Sequence, residues 1–164
     1  MHPMFQKLIN ESFMTETQVQ LIEEAVKEKR TIIASGHKGW GILPLLATIS
    51  TYAKADHSIQ QVKGIDDLNA PADFHVVTNP KDVSFEEVVI SGVKAESVNL
   101  LAIKDPDHPY SILKIIKDVQ KETQSVTKKF LVIECAKKED VKHVAKLTHI
   151  EIDENGKLKK VVTK

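Results

Sequence analysis

The sequence contains little arginine, little cysteine and few aromatic residues. Arg30 is the only arginine among 23 basic residues, and Cys135 is the only cysteine. Because bidentate phosphate clamps and arginine fingers need guanidinium groups, this chain can supply almost none of them. A single cysteine excludes an internal disulfide and is typical of a reducing compartment. We therefore predict a cytoplasmic protein.

Long hydrophobic runs and an excess of one charge are also missing. No apolar run reaches the roughly 20 residues needed to span a bilayer, and the opening MHPMFQKLINE has no signal-peptide core. The 23 basic and 23 acidic residues cancel, so nothing indicates electrostatic capture of nucleic acid. We predict no nucleic-acid partner and no direct membrane insertion.

The remaining composition is that of an ordinary globular domain. The chain has 164 residues, of which 41% are hydrophobic and 28% are charged, enough to bury a substantial core. We assign residues 1–14 to an N-terminal arm or short helix and residues 15–164 to a single domain. Strand-like and helical segments alternate along that domain, which predicts a three-layer α/β fold with a mainly parallel sheet.

Capping boxes and apolar runs locate the elements. Thr15-x-x-Gln18 opens one predicted helix, and Ser84-x-x-Glu87 opens another that continues to about residue 95. Residues 139–144 are predicted to form a short helical turn, and residues 149–162 to form a closing β-hairpin. The other predicted strands are residues 31–34, 58–63, 74–78, 98–103 and 130–135, and the other predicted helices are residues 43–55 and 110–124.

A glycine-rich loop follows the first predicted strand and precedes a helix. This arrangement points backbone N–H groups and a helix N-terminus at a phosphate. The spacing Gly36-x-x-x-x-Gly41 is that of a P-loop, whose next two residues should be Lys and Ser or Thr. Here they are Ile42 and Leu43. The candidate nucleotide- or phosphate-binding residues are Ser35, Gly36, His37, Lys38, Gly39, Trp40 and Gly41.

Each candidate side chain also has a purely structural interpretation. The glycines could cradle an anion through backbone amides or could only make the tight turn. Lys38 and His37 could donate to a phosphate or could be exposed loop residues. Trp40, the only tryptophan, could stack on a base, anchor a partner or pack over the neighbouring helix. Cys135 lies in an apolar strand, where a thiol behaves as a small hydrophobe.

Several segments resemble the nucleotide-binding domain of the type II and type IV secretion and pilus-motor ATPases. Residues 15–49, TETQVQLIEEAVKEKRTIIASGHKGWGILPLLATI, resemble the opening of that domain up to and beyond its P-loop. Ile65-Asp66-Asp67 resembles its acidic box, and residues 84–89 resemble the helix that precedes its Walker B strand. Residues 101–105 resemble Walker B, and residues 132–140 resemble the segment that carries the family histidine. The resemblance covers roughly residues 15–150 and implies a RecA-like P-loop domain.

The departures from the family motifs remove catalytic groups. Phosphoryl transfer depends on positioning and on cations at the developing charge, so their loss implies a pseudo-ATPase. Only Asp66 and Asp67 remain as candidate metal ligands, with turn residues or a helix cap as the alternative reading. The replaced positions are the P-loop Lys at Ile42, the magnesium-binding hydroxyl at Leu43, the Walker B Glu at Ala102, its following Arg at Lys104, and the histidine at Cys135.

Three functions remain open on this basis. The first is a non-catalytic secretion-ATPase-like domain that serves as a protein-interaction or regulatory module, binding a partner or a second copy. The second is a nucleotide- or phosphate-binding protein that uses the glycine loop, with ATP and Mg²⁺ as its ligands; otherwise no cofactor is expected. The third is a Rossmann-like enzyme, although a dinucleotide site would require Gly-x-Gly-x-x-Gly and this loop reads Gly-x-x-Gly-x-Gly.

Overall fold

The computed structural model describes residues 2–37, 39–62, 72–77, 87, 90–91, 98–104, 111–123, 129–153 and 155–163. These residues form a seven-stranded sheet with helices packed against it. The predicted α/β class is therefore confirmed. In chain order the elements are α1 (Pro3–Asn10), α2 (Glu16–Lys27), β1 (Thr31–Gly36), α3 (Ile42–Lys54), β2 (Ile59–Gln61), β3 (Phe74–Val77), β4 (Val98–Lys104), α4 (Ser111–Thr123), β5 (Phe130–Lys138), β6 (Val141–Ile152) and β7 (Leu158–Thr163).

The sheet is mixed. Its strand order is β2-β3-β4-β1-β5-β6-β7. The pairings from β2 through β5 are all parallel, whereas β5 pairs antiparallel with β6, and β6 antiparallel with β7. The C-terminal end of the chain thus adds an antiparallel ribbon to a parallel core.

The two faces of the sheet have separate hydrophobic cores. On one face, here called the α3 face, Ile32 and Ala34 of β1 pack in the same cluster as residues of α1, α2 and α3. On the opposite α4 face, Ile33 packs with Ile116 of α4. Consecutive residues of a strand point to opposite faces, which explains why β1 is buried throughout.

The strand order creates a switch point at β1. The chain leaves β1 for α3 on one face and reaches α4, on the other face, after β4. Because β1 and β4 are adjacent, their connections diverge at the carboxyl ends of these strands. In open α/β sheets ligands bind at such a divergence. The glycine loop begins there.

The N-terminal segment belongs to the core of the α3 face. Phe5 of α1 is fully buried, and Phe13 is 5% exposed in the linker between α1 and α2. The capping box predicted at Thr15 is confirmed: Gln18 N donates to Thr15 Oγ1 at 3.2 Å, and Thr15 N donates to Gln18 Oε1 at 2.9 Å. The linker is tied to β6, because Val144 N donates to Phe13 O at 2.7 Å.

The helical turn predicted for residues 139–144 is wrong. Residues from Val141 onward belong to β6, and Lys138 of β5 pairs directly with Val141. The two residues between them, Glu139 and Asp140, have φ values of 50° and 65°. Positive φ at both central residues is the geometry of a tight two-residue hairpin turn. The segment therefore reverses the chain instead of starting a helix.

Two further sequence predictions concern the helices. The helix predicted over residues 84–95 lies largely outside the described residues, of which 87, 90 and 91 are helical. Among the helices that the structure describes, none has the length and apolar character needed to cross a membrane.

Candidate functional site

Gly36 ends β1 at a close approach to the neighbouring strand β5. A Cβ added at this position would lie 2.9 Å from Cys135 O and 3.3 Å from Cys135 Cβ. Contacts this close are below normal van der Waals distance, so only glycine lets β1 approach β5 in this way. The glycine is required by the packing of the two strands, whether or not the loop binds a ligand.

Gly41 is the N-cap of α3, and its position also requires a glycine. Its φ of 88° lies in the left-handed region, which L-residues with a side chain rarely adopt. A Cβ here would lie 2.6 Å from Cε2 of Phe13. The Phe13 ring therefore covers the end of the glycine loop, a contact that no sequence pattern indicates.

The first turn of α3 offers backbone donors. Gly41 makes no side-chain cap, Leu45 N donates to Gly41 O at 3.0 Å, and Pro44 has no N–H. Within the described part of the chain, the N–H groups of Ile42 and Leu43 have no acceptor. These are orphan donors at the positive end of a helix dipole, where they can hold an anionic oxygen.

The two positions that the resemblance aligns with the P-loop lysine and hydroxyl hold residues with opposite surroundings. Ile42, at the lysine position, is 3% exposed and belongs to the core of the α3 face. Its Cδ1 lies 3.5 Å from a Cβ built on Gly36, so the side chain reaches back across the base of the loop. Leu43, at the hydroxyl position, is 40% exposed. Neither can bind a phosphate oxygen or a magnesium ion through its side chain.

The remaining described residues of the loop pack on one another. The rings of His37 and Trp40 meet edge to face with centroids 4.4 Å apart, and Trp40 N donates to His37 O at 3.1 Å. His37 is exposed and Trp40 is half-buried. Gly39 has a φ of 87° with open space around it. The outer part of the loop is therefore a turn that presents two aromatic rings.

The residues flanking the loop are structural. Ser35 is buried in the sheet and its hydroxyl donates to Ile133 O at 3.5 Å. Cys135 lies beneath Gly36, and burial raises the pKa of its thiol to about 12. At neutral pH this thiol is protonated, so it cannot act as a nucleophile.

Several predicted site residues lie outside the described residues. They are Lys38 of the loop and the candidate metal ligands Asp66 and Asp67. The Walker B positions Ala102 and Lys104 are on β4, where they pair with Ala34 and Gly36 of β1. The structure thus brings the Walker B-like segment beside the glycine loop. In the described ranges, no group of three or more His, Cys, Asp or Glu residues is arranged to hold a metal ion.

Arg30 lies at the other end of β1. Its guanidinium is 7% exposed and forms ion pairs with Glu28 and Glu151, while its Nη1 donates to Phe130 O. These contacts fasten the start of β1 to β5 and β6. The only arginine of the chain is therefore fixed away from the glycine loop and supports the sheet.

A cavity of about 350 Å³ opens beside the loop. It lies between the α1–α2 segment, the start of α3 and the turn of the β5–β6 hairpin. Its charged residues are of both signs, so it has no clear preference for an anion. The lining includes Leu8, Glu11, Phe13, Pro44, Asp140 and Lys142.

No protein-family model matches the chain, and no curated protein matches it significantly. The functional conclusion therefore depends on the geometry of the loop and of its surroundings.

Proposed function

We propose that this chain is a non-catalytic RecA-like P-loop domain, related to the secretion and pilus-motor ATPases, that serves as a protein-interaction or regulatory module. The observation that carries the proposal is the burial of Ile42 at the position of the P-loop lysine. A side chain packed in the core and lying across the loop base cannot supply a cation to a phosphate. The proposal includes a cytoplasmic location, which is supported by the free, buried Cys135.

The arrangement of the strands supports the proposed kinship. The order β5-β1-β4-β3-β2 places the glycine loop after a central strand, as the resemblance requires, and these strands are parallel. Helices of both cores cover the two faces of the sheet, as a three-layer domain requires. In the Rossmann order β1 lies between β2 and β4, so the alternative of a Rossmann-like enzyme receives no support.

The side chains of the glycine loop support the proposal that the protein does not hydrolyse ATP. Cations that stabilise the transferred phosphoryl group account for much of the rate of P-loop enzymes, and one arginine finger is worth on the order of 10³–10⁵. In the described residues at this end of the sheet, Ile42 and Leu43 replace two such groups. Arg30 is engaged at the opposite end of β1. Binding without hydrolysis is what remains.

A steady-state phosphate-release assay tests the proposal. We expect the purified protein with Mg²⁺ and ATP to release phosphate no faster than buffer. Asp66→Asn is the matched variant, because Asp66 is a candidate metal ligand in the resemblance. Hydrolysis by the wild type that disappears in this variant would show an active ATPase and refute the proposal.

A second candidate function is anion or nucleotide binding without turnover. The N–H groups of Ile42 and Leu43 at the start of α3, which have no acceptor among the described residues, favour it. Phe13, which covers Gly41, restricts the space next to these donors. Calorimetric titration with ATP, ADP and GTP, with and without Mg²⁺, distinguishes the two candidates. Absence of heat at millimolar nucleotide would exclude useful binding.

A further inference from the structure

The C-terminal strand β7 is the edge of the sheet in the described part of the chain. Its inner side pairs with β6 over six residue pairs. On its outer side, alternate N–H and C=O groups point away from β6, and no strand of the described ranges pairs with them. Such an edge is a template for strand addition unless its side chains prevent it.

The side chains of β7 combine exposed apolar surface with positive charge. Val161 and Val162 are 63% and 46% exposed. Lys159 and Lys160 directly precede them and are exposed as well. Within the described residues neither lysine has an ion-pair partner. Because consecutive residues alternate between faces, each face of the edge presents one lysine followed by one valine.

An apolar groove continues from this edge on the α4 face. It has a volume of about 240 Å³ and lies between α4 and the β5–β6–β7 part of the sheet. Its walls are largely aliphatic, with Lys160 at the rim. The nearby Lys146 is paired with Glu134 at 3.2 Å, which leaves Lys160 as the uncompensated charge. The aliphatic lining includes Ile112, Leu113, Val132, Ile150 and Val162.

We propose that β7 and this groove form a docking edge for an extended acidic segment of a partner protein, which adds to the sheet as a further strand. The complementary segment carries two adjacent acidic residues next to two adjacent apolar residues. The acids then face Lys159 and Lys160, and the apolar pair meets Val161 and Val162. The apolar residue on the α4 face extends into the groove. The docking edge specifies the kind of partner that the proposed interaction module would bind. The inference therefore rests on that proposed function.

The positive charge of Lys159 and Lys160 favours an acidic partner strand over the β7 strand of a second copy of the chain. Pairing β7 with another β7 would bring two more uncompensated lysines to the same ribbon, and like charges across strands are destabilising. Lysines on edge strands commonly oppose such self-pairing. An acidic strand converts the same lysines from a barrier into attractive contacts, which gives specificity and speeds association.

A labelled peptide tests the docking edge directly. The probe is a short fluorescein-labelled peptide with the acidic pair followed by a Val-Ile pair, the order that matches β7 when the peptide adds parallel to it. A second probe has the reverse order, which matches β7 in the antiparallel orientation. Each is titrated with the full chain by fluorescence anisotropy, and binding of either one supports the proposal. Two control peptides have the same acids and apolar residues in alternating order, or lysines in place of the acids. We expect saturable binding of a probe and of neither control, and slower hydrogen exchange of the β7 amides when the probe is bound.

Charge-reversal variants locate the site. Lys159→Glu with Lys160→Glu should weaken binding of the peptide about tenfold, because two attractive pairs become repulsive. The matched control is Lys137→Glu with Lys138→Glu, an adjacent exposed lysine pair at the end of β5, which should change the affinity less than about twofold. Lys137 forms an exposed ion pair with Asp140, and Lys159 lies opposite Glu151 of β6. Each double variant should therefore lower the melting temperature slightly, by no more than a surface ion pair contributes.

The remaining outcomes overturn the proposal. They are no saturable binding, equal binding of a control peptide, or equal loss of binding in the two double variants. A concentration-dependent dimer that the Lys159/Lys160 reversal abolishes would assign the edge to a second copy instead. Failure of this inference is separable from failure of the proposed function, because phosphate release is measured without the peptide and peptide binding without nucleotide.

Discussion

The two ends of β1 differ in how their polar groups are used. At the amino end, Arg30 Nε donates to Glu28 at 3.0 Å, Nη1 donates to Phe130 O at 3.2 Å, and Nη2 pairs with Glu151. At the carboxyl end the described contacts of β1 and the loop are the Ser35 hydroxyl bond to Ile133 O, the packing around Gly36 and Gly41, the His37–Trp40 ring contact and the buried Ile42. The charged side chain that flanks β1 in the described residues is thus engaged at the end where α/β proteins do not bind ligands.

This difference teaches that the glycines of a P-loop-like turn can be required for structural reasons alone. Gly36 is required by the close approach of Cys135, and Gly41 by its left-handed φ and by Phe13. Each glycine would be retained without any phosphate. The shape of the loop is therefore weak support for activity, whereas its side chains decide the chemistry.

Placing a lysine at position 42, where the resemblance aligns the P-loop lysine, should have the largest effect. Ile42→Lys places a charge in a site that is 3% exposed, and we expect a loss of about 4 kcal/mol in the free energy of unfolding. Leu43→Lys is the control, since its site is 40% exposed and the expected change is within about 0.5 kcal/mol. Urea denaturation measures both. Equal stability of the two variants would mean that the loop has room for a lysine.

Gly41→Ala tests the contact with Phe13. The left-handed backbone and the overlap with the ring together should cost about 3 kcal/mol. Gly39→Ala has a similar φ but open space, so it should cost about 1 kcal/mol. In a Phe13→Ala background the cost of Gly41→Ala should fall to that of the control, as a double-mutant cycle reveals. If Gly41→Ala lowered the free energy of unfolding equally with and without the Phe13 ring, Phe13 would not constrain the loop.

Arg30→Met tests the amino end of β1. It removes the buried guanidinium and leaves Phe130 O without its donor. We expect a loss of about 2 kcal/mol, below the range for fully buried pairs because the carboxylates of Glu28 and Glu151 remain partly exposed. The exposed Lys117→Met serves as the control in thermal denaturation. A loss no larger than in the control would make Arg30 dispensable for the sheet.

The smallest effect is a pH dependence at Glu151. The hydrogen bond from Arg30 lowers the pKa of this carboxyl below its ordinary value of 4.5. A lowered folded-state pKa stabilises the fold above the ordinary value, and that contribution is lost as the pH falls through the folded pKa. Glu151→Gln should therefore be less stable than wild type at pH 7, by under about 1 kcal/mol. The free energies of unfolding of the two proteins, measured by urea denaturation, should converge at low pH. A difference that stays constant with pH would contradict this prediction.

Much of the fold was predictable from local patterns. The capping box at Thr15, the apolar run that became β1 and the α4 helix each have a signal within a few residues. The pairing of β1 with β4 and β5 has no such signal, because strand order depends on contacts between distant segments.

The β5–β6 hairpin escaped prediction for a physical reason. Its turn uses Glu139 and Asp140 at positive φ in place of the usual Asn-Gly or Asp-Gly. The buried residues Val144, Leu147 and Ile150 are spaced by three, which breaks the alternation expected of a strand. A register shift opposite Glu134 and Cys135 and burial on both faces produce this spacing.

In the candidate site, the sequence predicted the strand, glycine turn and helix in this order, whereas the replacement of P-loop side chains stays a prediction. It did not predict the burial of Ile42, because a residue directly after a glycine loop can point either outward or into the core. The sequence also did not predict that the Phe13 ring packs over Gly41, because this contact depends on how the α1–α2 linker docks against β6. Both features arise from tertiary packing and not from local propensity.

The most direct test of the account is a single-turnover experiment with labelled ATP, Mg²⁺ and the wild-type protein in excess over nucleotide. Even a very slow ATPase would convert its bound ATP under these conditions. The account predicts that ADP forms no faster than in buffer over many hours. Conversion that proceeds to completion in the wild type and is abolished by Asp66→Asn would contradict it.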